Sequence, residues 1–454
     1  MRKYSHIYFI GIGGIGMSSL ARYFLQEGYK VSGYDKTPTS LTNALIKEGA
    51  LIHFEDLEED VGNSIINEIS LLVVYTPAIP SEMGELVYFK SNGYRVLKRA
   101  ELLGEITREQ QTLAVAGTHG KTTTSCMLAH VLDASAIKCN AFLGGISTNF
   151  NSNYTGNINA NYAVVEADEF DRSFLNLSPF ASIVTTTDVD HLDIYGDSKE
   201  FDEGFKLYAR NVSEQGILVV NESVELAHKN LITYGWGEAN DYQLIEVRSK
   251  NGVFMMDISI RGVIWENIIL GLPGEHNASN ALAVIALLNE LKLELTEIRK
   301  GLESFRGVKR RFEYQINTNN VIFIDDYAHH PTEINALIDA VKKLYPSKRI
   351  KGIFQPHLFS RTKDFFDGFV RELSKFDELI LMPIYPAREK PLEGVTSDIL
   401  LEKVTLGDKK LLNADEIINQ VTCSPDEVLI TIGAGDIDRI VEPLKLKLLG
   451  EVVD

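Results

Sequence analysis

The sequence predicts an α/β protein of three domains. Three observations carry that reading. The chain has 454 residues, too many for one ordinary domain. Three times, a short apolar run enters a glycine-rich or polar turn and then a helical pattern, the mark of parallel α/β units. The stretch from Asp241 to Leu270 instead alternates apolar and polar residues, which adds antiparallel strands to the middle unit.

The first unit reads as a strand at His6–Ile10, a loop Gly11-Ile12-Gly13-Gly14-Ile15-Gly16 and a helix through Met17–Gln26. Strands at Tyr29–Tyr34 and Leu71–Tyr75 follow, ending on Asp35 and on Thr76-Pro77. This is a Rossmann-like pattern over residues 1–109. The second unit, 110–307, opens with a strand at Thr112–Ala116 and a helix from Thr122, whose Met127, Leu128, Val131 and Leu132 make an apolar face. Buried strands are expected at Tyr162–Val165 and Ser182–Thr185, and a helix at Ala278–Glu290. The result is a P-loop ATPase-type domain with a mixed sheet. The third unit, 308–454, is again Rossmann-like, with strands at Val321–Ile324, Gly352–Phe354, Glu378–Met382 and Val428–Ile432. Each ends in polar residues, where open parallel sheets bind ligands.

Composition narrows the function. With 44% hydrophobic and 24% charged residues the chain has material for real cores. A net charge of −18 speaks against nucleic acid or an anionic membrane as partner. Cys126, Cys139 and Cys423 form no CxxC pair and read as reduced thiols. No run approaches the ~20 apolar residues of a membrane span, and the apolar run from Ile7 breaks at Gly11, too early for a signal peptide. A soluble cytoplasmic protein is expected, either monomer or homodimer.

The strongest chemical signal is Gly117-Thr118-His119-Gly120-Lys121-Thr122, followed by Thr123, between a strand and a helix. Glycines let backbone N–H groups surround phosphate oxygens, the helix N-terminus adds its dipole, Lys121 supplies a charge and Thr122 a hydroxyl for Mg²⁺. The loop is shorter than the usual GxxxxGK[ST], since position 115 is Val. A plain strand-to-helix turn is the alternative, and the GKT ending weighs against it. Acidic metal ligands belong at a neighbouring strand end. Val164-Val165-Glu166-Ala167-Asp168-Glu169 supplies them, with Glu166 and Asp168 on one side by alternation. His191, among Asp188, Asp190 and Asp193, is a further candidate metal ligand. The loop Gly11, Gly13, Gly14 and Gly16 with Asp35 matches the dinucleotide fingerprint, so an NAD(P)-dependent oxidoreductase competes. That reading leaves the phosphate loop unexplained.

Together these segments resemble the Mur ligases of bacterial cell-wall synthesis. The resemblance runs from Gly11 to Asp436 through GIGGIGMSSLA, GTHGKTTT, VVEADEFDRSFLNLSP, TTDVDHLDIYG, EHNASNALA, GVKRRFE, DDYAHHPTEI, FQPHLFSRT, IYPAREKP and GAGD. It implies an ATP- and Mg²⁺-dependent ligase of the alanine-adding branch. ATP would phosphorylate the lactyl carboxylate of UDP-N-acetylmuramate, and L-alanine would attack the acyl phosphate. Within the family, a ligase that adds recycled tripeptide to the same sugar nucleotide is the alternative.

By the same resemblance, Gly11, Gly13, Gly14, Gly16, Asp35 and Thr76 would bind the sugar nucleotide. Gly117–Thr123 would take the ATP phosphates, with Thr122, Glu166 and His191 at metal. Asn277 and Asn280 would lie near adenine, Asp325 or Asp326 at ribose and Tyr327 at the base. Arg310 or Arg311 would reach the γ-phosphate. His329, His357 and Arg361 would border the amino-acid pocket, and His191, His329 and His357 stand equal as the base for the incoming amine. Leu358 stands where the family motif often has arginine, so the alanine carboxylate falls to Arg361 alone or with a cation from elsewhere. Lys206 reads as a surface helix lysine rather than a carbamylated metal bridge, and His330 as a helix start with Pro331. Lys121→Ala is expected to abolish phosphoryl transfer and leave the fold intact.

Overall fold

A computed structural model describes residues 3–62, 70–157, 159–188, 198–250, 253–387 and 389–450. It is a mixed α/β structure with three sheets. The first contains β1 (His6–Ile10), β2 (Lys30–Tyr34), β3 (Leu51–His53), β4 (Leu71–Tyr75) and β5 (Arg95–Lys98), in the order β3-β2-β1-β4-β5. Every pair is parallel. β1 and β4 are apolar runs because both faces of the sheet are covered. Strand order reverses between β1 and β4, which opens a crevice at their carboxyl ends. Gly11, with φ of 84°, turns there, and a Cβ on it would come within 2.8 Å of the Thr76 methyl.

The second sheet has ten strands: β6 (Gln111–Ala116), β7 (Cys139–Ser147), β8 (Ser152–Thr155), β9 (Tyr162–Glu166), β10 (Ala181–Val184), β11 (Ile217–Asn221), β12 (Leu231–Gly235), β13 (Tyr242–Lys250), β14 (Val253–Ile260) and β15 (Val263–Leu270). Their order is β15-β14-β13-β12-β11-β10-β6-β9-β7-β8. β6 runs parallel between β10 and β9, so residues 117, 167 and 185 gather at one end. The alternating stretch forms β13 to β15. β14 and β15 are joined by the two-residue turn Arg261-Gly262, both at positive φ, which makes them an antiparallel hairpin.

The third sheet holds β16 (Glu313–Asn317), β17 (Ile322–Asp326), β18 (Arg349–Phe354), β19 (Glu378–Leu381), β20 (Lys409–Leu411) and β21 (Glu427–Ile432), in the order β16-β17-β21-β18-β19-β20. Only the β16–β17 pair is antiparallel. Apolar clusters cover both faces: Ile324, Phe354 and Ile430 on one, Phe323, Ile353 and Leu429 on the other. The chain divides into two compact units. One runs to Glu246 and includes Met256–Leu270 and Ser279–Arg306; the other contains Val247–Met255, Gly271–Ala278 and the chain from Gly307.

Within the first unit, the helix Ile15–Gln26 packs on β7 and β8. Tyr23 meets Phe142 and Tyr154, with ring centroids at 5.5 and 6.2 Å. Asn153 donates to Ile15 O and Ser18 Oγ. These contacts set the first sheet's glycine loop beside the carboxyl ends of β6 and β9.

The strands read at His6–Ile10 and Leu71–Tyr75 are observed as read, and the others shift by one to three residues at their ends. The strands β3, β5, β11, β12, β16 and β20 and the hairpin β7–β8 were not read. The three cysteines are free thiols, and no described helix is long and apolar enough to cross a membrane. Lys206 lies exposed on the helix Ser198–Asn211. His330 caps the helix Pro331–Leu344 with its side chain, Pro331 standing in the first turn.

Candidate active site

The loop after β6 is shaped by two glycines at positive φ, Gly117 at 124° and Gly120 at 82°. A Cβ at 117 would collide with Thr185 at 2.2 Å, and one at 120 with the Asn280 carbonyl oxygen at 2.7 Å. Asn280 therefore abuts the loop. Thr186 holds the loop's first half: its carbonyl accepts from Thr118 N–H and its hydroxyl from His119 N–H. The helix Lys121–Ala134 begins one residue earlier than read. Its ladder starts where Thr124 N–H bonds Gly120 O, so the amides of Lys121, Thr122 and Thr123 precede it as anion donors. Inward donation thus belongs to the helix's first turn rather than to Thr118 and His119.

Lys121 Nζ lies 2.7 and 2.9 Å from the two Glu169 oxygens and 2.6 Å from Gly117 O. Glu169 is 1% exposed, so this is a buried ion pair. Burial works against the ammonium, but Glu169, Asp168 and Glu166 outweigh it and raise its pKa. Thr122 Oγ1 donates to Glu166, 3.0 Å from each carboxylate oxygen. Burial raises the Glu166 pKa against the pull of Lys121. Gly144 makes the room: a Cβ there would stand 1.9 Å from Glu166 Oε2.

Facing this wall is the glycine loop of the first sheet. Gly11 and Ile12 donate to Tyr34 O, and Gly14 to Gly11 O. Gly13 donates to Asp35 Oδ2 at 2.8 Å, and Thr37 N–H to Asp35 Oδ1. Asp35 thus braces the loop through backbone N–H groups. The amides of Ile15 and Gly16 precede the helical ladder and open toward a cavity of about 270 Å³. Gly14, Gly16, Thr76, Arg99, Glu166 and Asp168 line it.

The compact unit that contains the chain from Gly307 carries the expected residues Arg310, Arg311, Asp325, Asp326 and Tyr327. Arg310, at φ of 62°, donates to Asp325 at 3.2 Å and to Gly433 O at 2.6 Å. Arg311 faces Glu333 at 3.6 Å. Both guanidinium groups lie 5.1 Å from the centre of the Tyr327 ring. Asp325, 1% exposed, also accepts from Thr431. Asp326, 8% exposed, accepts from Phe312 N–H and Ala328 N–H, each at 2.7 Å. Burial pushes its carboxyl up to about 6 against Arg311. These bonds hold both carboxylates against partners within the protein. Asn277 donates to Pro273 O.

His329 lies 6.3 Å from His357, ring to ring, and His357 stacks on Tyr385. His357 Nδ1 is 3.3 Å from Arg361 Nη1. An arginine only donates, so His357 Nδ1 accepts and its proton sits on Nε2. His329 Nδ1 is 3.0 Å from Tyr327 O, which only accepts, so Nδ1 carries the proton and Nε2 the lone pair. Burial lowers the His329 pKa, which keeps it neutral. His191 lies outside the described residues.

Three family models match the chain in order: the Mur ligase family catalytic domain over residues 6–111, the Mur ligase middle domain over 115–288, and the Mur ligase glutamate ligase domain over 310–435. A UDP-N-acetylmuramate–L-alanine ligase from Flavobacterium psychrophilum is 47% identical over 448 residues, 99% of each chain. One of the same name from Cytophaga hutchinsonii is 45% identical over 447 residues, 97% of this chain and 96% of that protein.

The chain belongs to the Mur ligase family.

Among solved structures, the UDP-N-acetylmuramate-alanine ligase of Thermotoga maritima is similar to this Mur ligase with a TM-score of 0.85 at 28% identity, over 98% and 99% of the two chains. A murein peptide ligase from Psychrobacter arcticus shares the fold, with a TM-score of 0.71 at 23% identity over 99% of this chain. Of this Mur ligase's site, Arg99 escaped the sequence reading, and Glu169 was read only as part of the acidic segment, without its pairing to Lys121. Glu169 was hidden in an acidic run where only alternating positions were weighed. Arg99 follows β5, and a basic pair at the carboxyl end of a parallel strand was the signal available.

Proposed function

We propose that this Mur ligase joins L-alanine to the lactyl carboxylate of UDP-N-acetylmuramate, using ATP and an acyl phosphate. The observation that carries the reading is one cavity lined both by the glycine loop and by Glu166, the partner of Thr122 in the phosphate loop. Near-full-length relatives bearing the alanine ligase name support it. In this proposal residues 1–109 hold the sugar nucleotide, 110–307 hold ATP and 308–454 hold the amino acid. The enzyme works in the cytoplasm, where ATP is available.

Each group then has a task. The Ile15 and Gly16 amides receive the diphosphate, and the first-turn amides of Lys121–Thr123 receive the ATP phosphates. Thr122 and Glu166 offer hard oxygen donors that fit Mg²⁺, which binds through one or two carboxylates, phosphate oxygens and water. When bound, the ion neutralises charge on the transferring phosphoryl group. His191 would add a ligand. Lys121 stabilises the same group as the lactyl carboxylate oxygen displaces ADP. Arg310 and Arg311 supply further cations, and Asn277, Asn280 and Tyr327 flank the nucleoside. His329, with its lone pair on Nε2, takes the proton from the alanine ammonium; His357 is oriented as a donor. Arg361 holds the alanine carboxylate. The amine then attacks the acyl carbon and phosphate leaves.

The test is phosphate release with each substrate omitted in turn. Turnover is expected only with ATP, UDP-N-acetylmuramate and L-alanine together. Product with tripeptide but not L-alanine would select the recycling ligase instead, and equal turnover without the sugar nucleotide would overturn the proposal.

Gly144→Ala is expected to leave the chain folded and to displace Glu166 from Thr122. The Mg²⁺ concentration for half-maximal turnover should rise roughly tenfold, in line with the loss of a ligand's support. A Mg²⁺ titration of the two proteins, with melting curves as control, measures it.

A further inference from the structure

The cavity between the glycine loop and the acidic strand end contains a cation whose task neither the motifs nor the family resemblance names. Arg99 follows β5 and opens the helix Arg99–Thr107. Its guanidinium lies along Gly16, where a Cβ would meet Nη1 at 2.8 Å and Cδ at 3.1 Å. Its far end points at the opposite wall, with Nη2 3.8 Å from Asp168 Oδ2. That distance is an ion pair without a hydrogen bond, so the fork keeps donors for a ligand. The side chain is 22% exposed and lines the same cavity as Glu166.

Its position is built rather than loose. Lys98 Nζ pairs with Asp171 Oδ2 at 3.0 Å. Five residues into the helix, Gly104 sits so close to Asn176 O that a Cβ would come within 2.4 Å. The helix start is thus docked on the segment following β9.

A substrate that reaches this cavity must bring a carboxylate up to Glu166 and Asp168. Two carboxylates repel a third. Among the lining residues, Arg99 is the cation that offsets the repulsion, and its planar fork suits a carboxylate in two-point contact. We infer that Arg99 grips the lactyl carboxylate of the sugar nucleotide and positions it for phosphorylation. This rests on the reading above, which assigns the diphosphate to the backbone amides of the glycine loop.

The test compares two ligands by calorimetry: UDP-N-acetylmuramate, and UDP-N-acetylglucosamine, which shares the diphosphate but lacks the lactyl group. Wild-type protein that binds the two equally would sink the functional proposal itself. With that preference established, Arg99→Gln is expected to weaken UDP-N-acetylmuramate about tenfold to a hundredfold, the effect of losing a charged hydrogen bond. UDP-N-acetylglucosamine should change less than twofold. Arg99→Lys, which keeps the charge and the pairing with Asp168, should fall between, and it carries the test if the glutamine variant melts early. Equal losses for both ligands would place Arg99 on the diphosphate and overturn the inference. So would unchanged affinity for both, which would leave Arg99 a structural partner of Asp168.

Discussion

Lys121→Ala is expected to lower phosphoryl transfer on the order of 10³-fold, as removal of a preorganised charge from a transferring phosphoryl group does. The same substitution is also expected to destabilise the protein. Glu169 is 1% exposed and its two oxygens lie 2.7 and 2.9 Å from Lys121 Nζ. Alanine leaves that carboxylate buried without its partner, which costs about 3–5 kcal/mol. The expected result is therefore an inactive and less stable protein rather than the inactive but intact fold expected from the sequence.

The two effects separate in a double-mutant cycle. Glu169→Gln removes the charge that Lys121 would leave stranded. The pair Lys121→Ala with Glu169→Gln should recover most of the lost stability in denaturant melts, while phosphate release stays at the level of Lys121→Ala alone. A double variant as unstable as the single one would show that Glu169 is not the source of the loss. Recovery of turnover in the double variant would show that Lys121 does not act on the phosphoryl group.

What the sequence made legible depended on how local the chemistry was. Gly117 to Thr122 could be read because the glycines, the lysine, the hydroxyl and the helix start are adjacent. Glu166 could be read because strand alternation sends it to a predictable side. Asp35 was read from its spacing as a nucleotide contact, and the structure adds a local task that spacing does not reveal: the same aspartate braces Gly13 N–H. Asp326 has a similar local task, since both its oxygens take backbone N–H groups. Arg99 acquires meaning only when β5 is placed beside β4 and its helix docks near Asp168, 69 residues away in sequence by the numbering. The three-residue β3 and β20 carry no periodicity of their own and exist through their pairing with β2 and β19.

Arg361→Ala is expected to raise the KM for L-alanine by about 30- to 1000-fold, equivalent to roughly 2–4 kcal/mol, as loss of a charged contact in a closed pocket does. The family motif's usual first arginine is Leu358 here, and the backbone there reaches φ of 70°, a strained value for leucine. Leu358 caps the short helix Phe359–Asp364 without a side-chain bond, so it brings no charge to the pocket. Arg361 lies one turn on, and its Nη1 holds His357 Nδ1 at 3.3 Å. That contact leaves further guanidinium donors for a carboxylate. The discriminating substrate is alaninamide, which has the amine but no carboxylate. Wild-type enzyme should strongly prefer L-alanine, and Arg361→Ala should lose that preference while its turnover of alaninamide stays within about threefold of wild type. Arg361→Lys should restore little, because a point charge does not reproduce the planar fork. If Arg361→Ala keeps the preference, the carboxylate is held by another cation. If alaninamide turnover falls as far as that of L-alanine, Arg361 acts through His357 rather than on the substrate.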